Sequence, residues 1–167
     1  MEISKPKTVR IAIIGASGYG GLQLVKLITE HPIFEISFLN GQRSAGKSWN
    51  ETNPFMKIVG DKVITKTNID EIAQDSEYAI LSLPNGIASQ ITPLLLEKGI
   101  KVIDLSADYR FKSLDKWKEV YSKESEKYPR FDYELCEEAV YGFSEEFHKE
   151  ISKSRLISCP GCYPTSS

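Results

Sequence analysis

Six residues, Val9-Arg10-Ile11-Ala12-Ile13-Ile14, run directly into Gly15-Ala16-Ser17-Gly18-Tyr19-Gly20-Gly21. An apolar, β-branched run this short reads as a strand buried on both faces, which is the habit of parallel sheets. After the glycines, Leu22, Val25, Leu27 and Ile28 fall at helical spacing, and His31-Pro32 closes that helix. Phe34 to Leu39 is a second apolar run. Strand, tight turn, helix and strand make a βαβ unit, and a parallel pair joined by a helix restricts the chain to α/β architectures.

The alternation continues. Lys62 to Thr65 suggests a short strand and Ile69 to Gln74 a short helix, after a loop over Asn40 to Gly60. Tyr78 to Leu83 is a strand stopped by Pro84-Asn85-Gly86, and Ile87 to Lys98 is a helix with Ile87, Ile91, Leu94 and Leu95 inward. Gly99 caps that helix, and Ile100 to Leu105 is a further strand. Ser113 to Phe147 is charged and aromatic and reads as an excursion of one or two helices and loops. Arg155 to Cys159 returns to strand. The predicted fold is α/β, a doubly wound, mostly parallel Rossmann-like sheet over residues 1–158, with residues 159–167 beginning a second domain.

Composition narrows the partners. With 167 residues, a net charge of −2 and no Lys/Arg block, the chain lacks the electrostatic footprint of a nucleic-acid binder. No apolar stretch reaches membrane-span length. Three cysteines, Cys136, Cys159 and Cys162, are an odd number without a disulfide framework. That favours a reducing, cytoplasmic setting. The basic start, Met1 to Thr8, leads into a strand pattern rather than a signal-peptide core.

The glycine loop is spaced G-x-x-G-x-x-G, placed where a phosphate-binding turn belongs. Such a turn lets backbone amides approach a pyrophosphate and lets the helix start close to the sheet. The residues Gly15, Ser17, Gly18, Tyr19, Gly20 and Gly21 are therefore expected to hold a dinucleotide; the alternative is a structural βα turn. The end of the second strand reads Leu39-Asn40-Gly41-Gln42-Arg43-Ser44, with no carboxylate for a ribose diol. A guanidinium and a hydroxyl there suit a 2′-phosphate, so NADP is expected over NAD. Otherwise Arg43 is a solvated loop residue.

Near the end, Cys159-Pro160-Gly161-Cys162-Tyr163-Pro164-Thr165 reads as a turn that delivers a thiol to a helix start. Helix N-termini lower thiol pKa values and so favour the nucleophilic thiolate. Cys162 is the candidate nucleophile. Two other readings are a redox Cys-x-x-Cys pair and a zinc site that adds Cys136 and His148; Cys159 itself is also consistent with a buried strand end. A nucleotide site beside a thiolate suits attack on an acyl phosphate or aldehyde, followed by hydride transfer. No metal is required for that chemistry. Arg110 follows the end of a strand, where open α/β sheets bind ligands, and is the candidate anion clamp; the competing reading is an ion pair with Asp108 or Asp104.

Taken in order, the glycine loop, Arg43-Ser44-Ala45-Gly46-Lys47, Leu83-Pro84-Asn85-Gly86, Asp104-Leu105-Ser106-Ala107-Asp108-Tyr109-Arg110, Tyr141-Gly142 and Pro160-Gly161-Cys162-Tyr163-Pro164-Thr165 form a specific series. That series resembles the N-acetyl-gamma-glutamyl-phosphate reductases of the semialdehyde dehydrogenase superfamily. The resemblance implies NADPH-dependent reduction of an acyl phosphate to a semialdehyde in arginine biosynthesis, with Cys162 as nucleophile. It implies that Arg43 and Ser44 lie near the 2′-phosphate, that Pro84 and Asn85 line the cofactor cleft, and that Arg110 meets the substrate phosphate. It implies no catalytic role for Cys159. It also implies a general-base histidine and an α+β substrate domain beyond Ser167, so this chain reads as an N-terminal portion of a homo-oligomeric parent, inactive alone. A reductase of a carrier-linked aminoadipyl phosphate and a non-catalytic NADP-binding module remain as alternatives.

Overall fold

A computed structural model describes residues 7–58 and 60–167. Residues 1–6, which hold most of the basic start and the beginning of the expected 1–158 domain, lie outside the described residues.

Strand β1 (Val9–Ile14) leads through the glycine turn into helix α1 (Tyr19–Thr29) and back into β2 (Phe34–Asn40). A 3-10 turn (Gln42–Ser44) and a short helix α2 (Trp49–Thr52) follow, then α3 (Ile69–Asp75), β3 (Tyr78–Leu81), α4 (Ala88–Glu97) and β4 (Lys101–Asp104). The excursion folds as α5 (Leu114–Val120), α6 (Ser122–Lys127), α7 (Tyr133–Glu138), the two-residue strand β5 (Val140–Tyr141) and α8 (Ser144–Ile151). Strand β6 (Leu156–Ser158) and helix α9 (Cys162–Ser166) complete the chain.

The sheet has the order β2-β1-β3-β4-β6-β5, with every pairing parallel. Alternation along the strands sends side chains to both faces, and both are covered. Ala12, Ile14, Ala79, Leu81, Val102 and Leu156 pack with Ile72 of α3, Leu95 of α4 and Trp117 of α5. On the opposite face Ile13 and Ile80 pack with Val25 and Ile28 of α1 and Trp49 of α2. The chain leaves β1 toward β2 on one side and toward β3 on the other. The crevice above β1 and β3 is thus the switch point at which open α/β sheets bind ligands.

Several expectations change. The 40–60 loop contains α2, whose Trp49 is fully buried and donates its indole N–H to the Met56 carbonyl at 2.8 Å. The strand expected over 62–65 is reduced to isolated bridges at Val63 and Thr65. Helix α4 turns Ala88, Ser89, Thr92, Leu95 and Leu96 inward and leaves Leu94 46% exposed, because small residues let its backbone sit close to the sheet. Leu27 of α1 is likewise exposed. The excursion holds more helix than expected and adds an edge strand, β5, beside β6.

Candidate active site at the carboxyl ends of the strands

The glycine turn is shaped by close approach. Gly15 has φ +89°, and a Cβ there would overlap the carbonyl oxygen of Ser82, just past β3. A Cβ at Gly20 would lie 2.7 Å from Ser82 Oγ, and one at Gly21 would overlap the Gly15 carbonyl. The backbone amides of Gly15 and Ala16 donate to the Asn40 carbonyl at 3.2 and 2.8 Å, which ties the turn to the end of β2. Helix α1 then begins at Gly18 with no side-chain cap and no acidic residue in its first turn, and Ser17, Gly18 and Tyr19 are exposed. Uncapped amides at a solvent-facing helix start are an anion-binding arrangement. These features fit a dinucleotide pyrophosphate.

Ser17 Oγ donates to Ser44 Oγ at 3.5 Å, so the turn and the 42–44 segment border one another. Arg43 is exposed there and forms no ion pair among the described residues. Asn40, which occupies the strand end, is buried and donates its Nδ2 to the Thr65 carbonyl. The edge of this crevice therefore offers hydroxyls and a guanidinium rather than a carboxylate.

Pro84, Asn85 and Gly86 form the turn between β3 and α4. Its fixed shape comes from Asp108, a residue the sequence reading gave no role beyond that of a partner for Arg110. Asp108 is fully buried, and its carboxylate accepts from the Gly86 amide at 2.7 Å and the Ser89 amide at 2.9 Å. Asn85 Oδ1 accepts from the Ala107 amide at 3.0 Å. The Asp108 carbonyl in turn accepts from Arg130 Nη1 at 2.6 Å. Arg130 is buried between the Tyr109 and Trp117 rings and pairs with Asp132 at 2.8 Å. Through Arg130 the excursion is fastened to the strand ends. No spacing rule picks out the bonds of Asp108 to Gly86 and Ser89 or of Arg130 to Asp108, because these partners are 19 to 22 residues apart.

Asp104, at the end of β4, is fully buried and accepts from the Ser106 amide and hydroxyl at 2.9 and 2.7 Å. Burial outweighs those bonds and pushes its carboxyl up to about 6. Arg110 forms no ion pair with Asp104 or Asp108. Its Nε donates to the Cys159 carbonyl at 2.9 Å and its Nη2 to the Leu105 carbonyl at 3.0 Å. Its Nη1 lies against Gly161, 3.3 Å from where a Cβ would stand.

The three thiols are free and differ in setting. Cys136 is fully buried beside Arg130, and burial pushes its thiol up to about 11. Cys159 is partly buried; burial first, and then the Asp104 charge, push its thiol up to about 11 as well. Cys162 is exposed and opens α9, with Gly161 at the N-cap. It borders two cavities, both shared with Arg110. One, of about 720 Å³, is aromatic, with Phe111, Tyr121, Tyr141, Phe147 and Tyr163. The other, of about 520 Å³, is lined by Leu24, Ile80, Ile103, Leu105 and Cys159. Among the described residues no three His, Cys, Asp or Glu side chains converge as a metal site.

Chemically, the strand ends bring together an anion-binding helix start, a guanidinium and an accessible thiol. A family model for the semialdehyde dehydrogenase NAD-binding domain matches residues 10–154. A curated relative from Prochlorococcus marinus (strain NATL2A), named N-acetyl-gamma-glutamyl-phosphate reductase, is 80% identical over all 167 residues. Another of the same name, from strain MIT 9211, is 50% identical. The chain spans about half the length of these relatives, 46% of each. Among solved structures, aspartate semialdehyde dehydrogenase II of Vibrio cholerae superposes with a TM-score of 0.64 at 21% identity, covering 94% of this chain and 43% of that one. Aspartate semialdehyde dehydrogenase of Candida albicans, solved with NADP, gives 0.64 at 17% identity, covering 96% and 44%. The last two likenesses speak to the fold, whereas the match over residues 10–154 speaks to descent: the chain belongs to the semialdehyde dehydrogenase family, as its NAD-binding domain.

Proposed function

We propose that this chain is the NADP-binding, thiol-bearing portion of an N-acetyl-gamma-glutamyl-phosphate reductase. The observation that carries the reading is the 80% identity over every residue to a relative of that name. The parent protein is a cytoplasmic homo-oligomer of arginine biosynthesis. Residues up to 158 form the cofactor domain, and residues from 159 begin the substrate domain.

Gly15, Ser17, Gly18, Tyr19, Gly20 and Gly21 cradle the cofactor pyrophosphate. Arg43 and Ser44 meet the 2′-phosphate, and Pro84 and Asn85 line the cleft. When bound, NADPH supplies the hydride that reduces the acyl group. The protein's own part begins at Cys162. Its thiolate attacks the acyl carbon, a sulfur–carbon bond forms, the bond to the phosphate oxygen breaks, and phosphate departs from a thioester. Arg110 Nη1 faces the departing phosphate. The Cys159 thiol, held protonated by burial, takes no part.

The cofactor assignment is tested by titrating the chain with NADPH and NADH. A charged hydrogen bond to the 2′-phosphate is worth about 1.5–3 kcal/mol, so NADPH should bind about 10- to 100-fold tighter. Arg43→Ala should remove most of that preference. Equal affinities in the unaltered chain would overturn the assignment.

A further inference from the structure

Arg110 makes two bonds that a ligand clamp does not need. Its Nε and Nη2 grip the carbonyls of Cys159 and Leu105, which lie on different strands' ends. The Cys159 amide is held too, donating to the Asp104 carbonyl at 2.8 Å. Both peptide groups of Cys159 are thus fixed by the Asp104–Arg110 loop. Cys159 is only three residues before Cys162, and Pro160 restricts the backbone between them. Beyond Gly161 the hydrogen bonds among the described residues are local to the short, exposed helix α9, such as Thr165 Oγ1 donating to the Gly161 carbonyl at 2.9 Å.

We propose that Arg110 is a positioning residue for the Cys162 thiol, acting through the Cys159 carbonyl. The geometry of the fork matters as much as the charge. Two nitrogens of one planar guanidinium bridge two carbonyls, and this fixes where β4's loop stands relative to the turn that carries the thiol. The same two bonds aim the third nitrogen, Nη1, past Gly161 toward the cavity that Cys162 borders. A lysine could carry the charge to that cavity, but its single nitrogen cannot hold both carbonyls in the fork geometry. The proposal extends the reading of Cys162 as the nucleophile and rests on it for its catalytic consequence, though not for its structural one.

The test compares Arg110→Lys with the unaltered chain by amide hydrogen exchange, read peptide by peptide. Loss of the fork should speed exchange of the Cys159 amide, which is held on the Asp104 carbonyl, by about tenfold or more, as expected when charge-assisted bonds beside it are removed. Exchange in β1 should stay unchanged, which also shows that the variant folds. Wild-type exchange of the Cys159 amide in Arg110→Lys would overturn the proposal. In the full-length reductase the same change should lower kcat with KM nearly unchanged. A rise in KM with kcat retained would instead make Arg110 a substrate clamp only, and would also overturn it. Because the exchange experiment uses neither substrate nor cofactor, its outcome is independent of whether Cys162 is the nucleophile.

Discussion

Replacing Asp108 by Asn alters one atom in a fully buried side chain, and the structure sets what that should do. The carboxylate accepts two backbone amides, from Gly86 and Ser89, and so closes the N-terminal turn of α4. An asparagine has one oxygen. Whichever amide it keeps, its NH₂ group faces the other, a donor against a donor in a fully buried site. The loss combines one charge-assisted bond with one unsatisfied buried donor, about 3 kcal/mol in all. With a urea m-value of about 2 kcal/mol/M, the unfolding midpoint should fall by about 1.5 M with m unchanged. Tryptophan fluorescence is a suitable probe, because Trp49 and Trp117 are fully buried on opposite faces of the sheet. Asp70→Asn is the control: Asp70 meets Lys98 in an exposed, solvent-screened pair, and its loss should leave the midpoint nearly unchanged. A midpoint for Asp108→Asn within 0.3 M (roughly 0.6 kcal/mol) of the unaltered chain would refute the claim that this carboxylate clamps the β3–α4 turn.

Other outcomes follow from the same strand ends. Asp104 has a folded-state carboxyl pushed up to about 6 from 3.8, so the folded state binds the extra proton between those values. Stability should therefore be greatest below about pH 4 in this respect and decline as pH rises through about 6. Asp104→Asn, which can still accept the Ser106 amide and donate to its hydroxyl, should flatten that decline in urea melts at pH 4.5 and 7.5; an unaltered slope counts against it. Gly15→Ala combines a left-handed backbone with overlap onto the Ser82 carbonyl, and should lower stability by about 1–3 kcal/mol and abolish NADPH binding. Retention of both, read by urea melts and titration, would contradict the cradle. Iodoacetamide at pH 8 should label Cys162 well before Cys159, whose thiol lies near 11; peptide mapping showing Cys159 first would reverse the assignment.

Much of this architecture was legible from residue pattern because the signals are local. β1, the glycine turn and α1 fall where an apolar run, a G-x-x-G-x-x-G spacing and a helical periodicity place them. Gly99, at φ +81°, closes α4 as its position suggests. Hydrophobicity misled on the inward face of α4, where Ala88, Ser89 and Thr92 are buried and Leu94 is not. Close helix–sheet approach selects small side chains, so a reading weighted toward large apolar ones finds Leu95 and Ile91 but misplaces Leu94 and passes over the small residues. Elements of two to four residues, such as β5 and α2, are too short to show a period. Cys162 and Arg110 were readable as candidates because they sit in distinctive runs. The bonds that organise them were not: Asp108 reaches Gly86 across 22 residues, and Arg110 reaches Cys159 across 49. Such pairs exist only once the sheet order is fixed.

Cys162 is the residue proposed to carry the acyl group. The direct measurement is to incubate the full-length reductase with its acyl phosphate without NADPH, quench in acid, and map the peptides by mass spectrometry. An acyl adduct is expected on the Cys162 peptide, absent in Cys162→Ser, with Cys159→Ser acylated as the unaltered protein is. An adduct on Cys159, or undiminished turnover in Cys162→Ser, would contradict it.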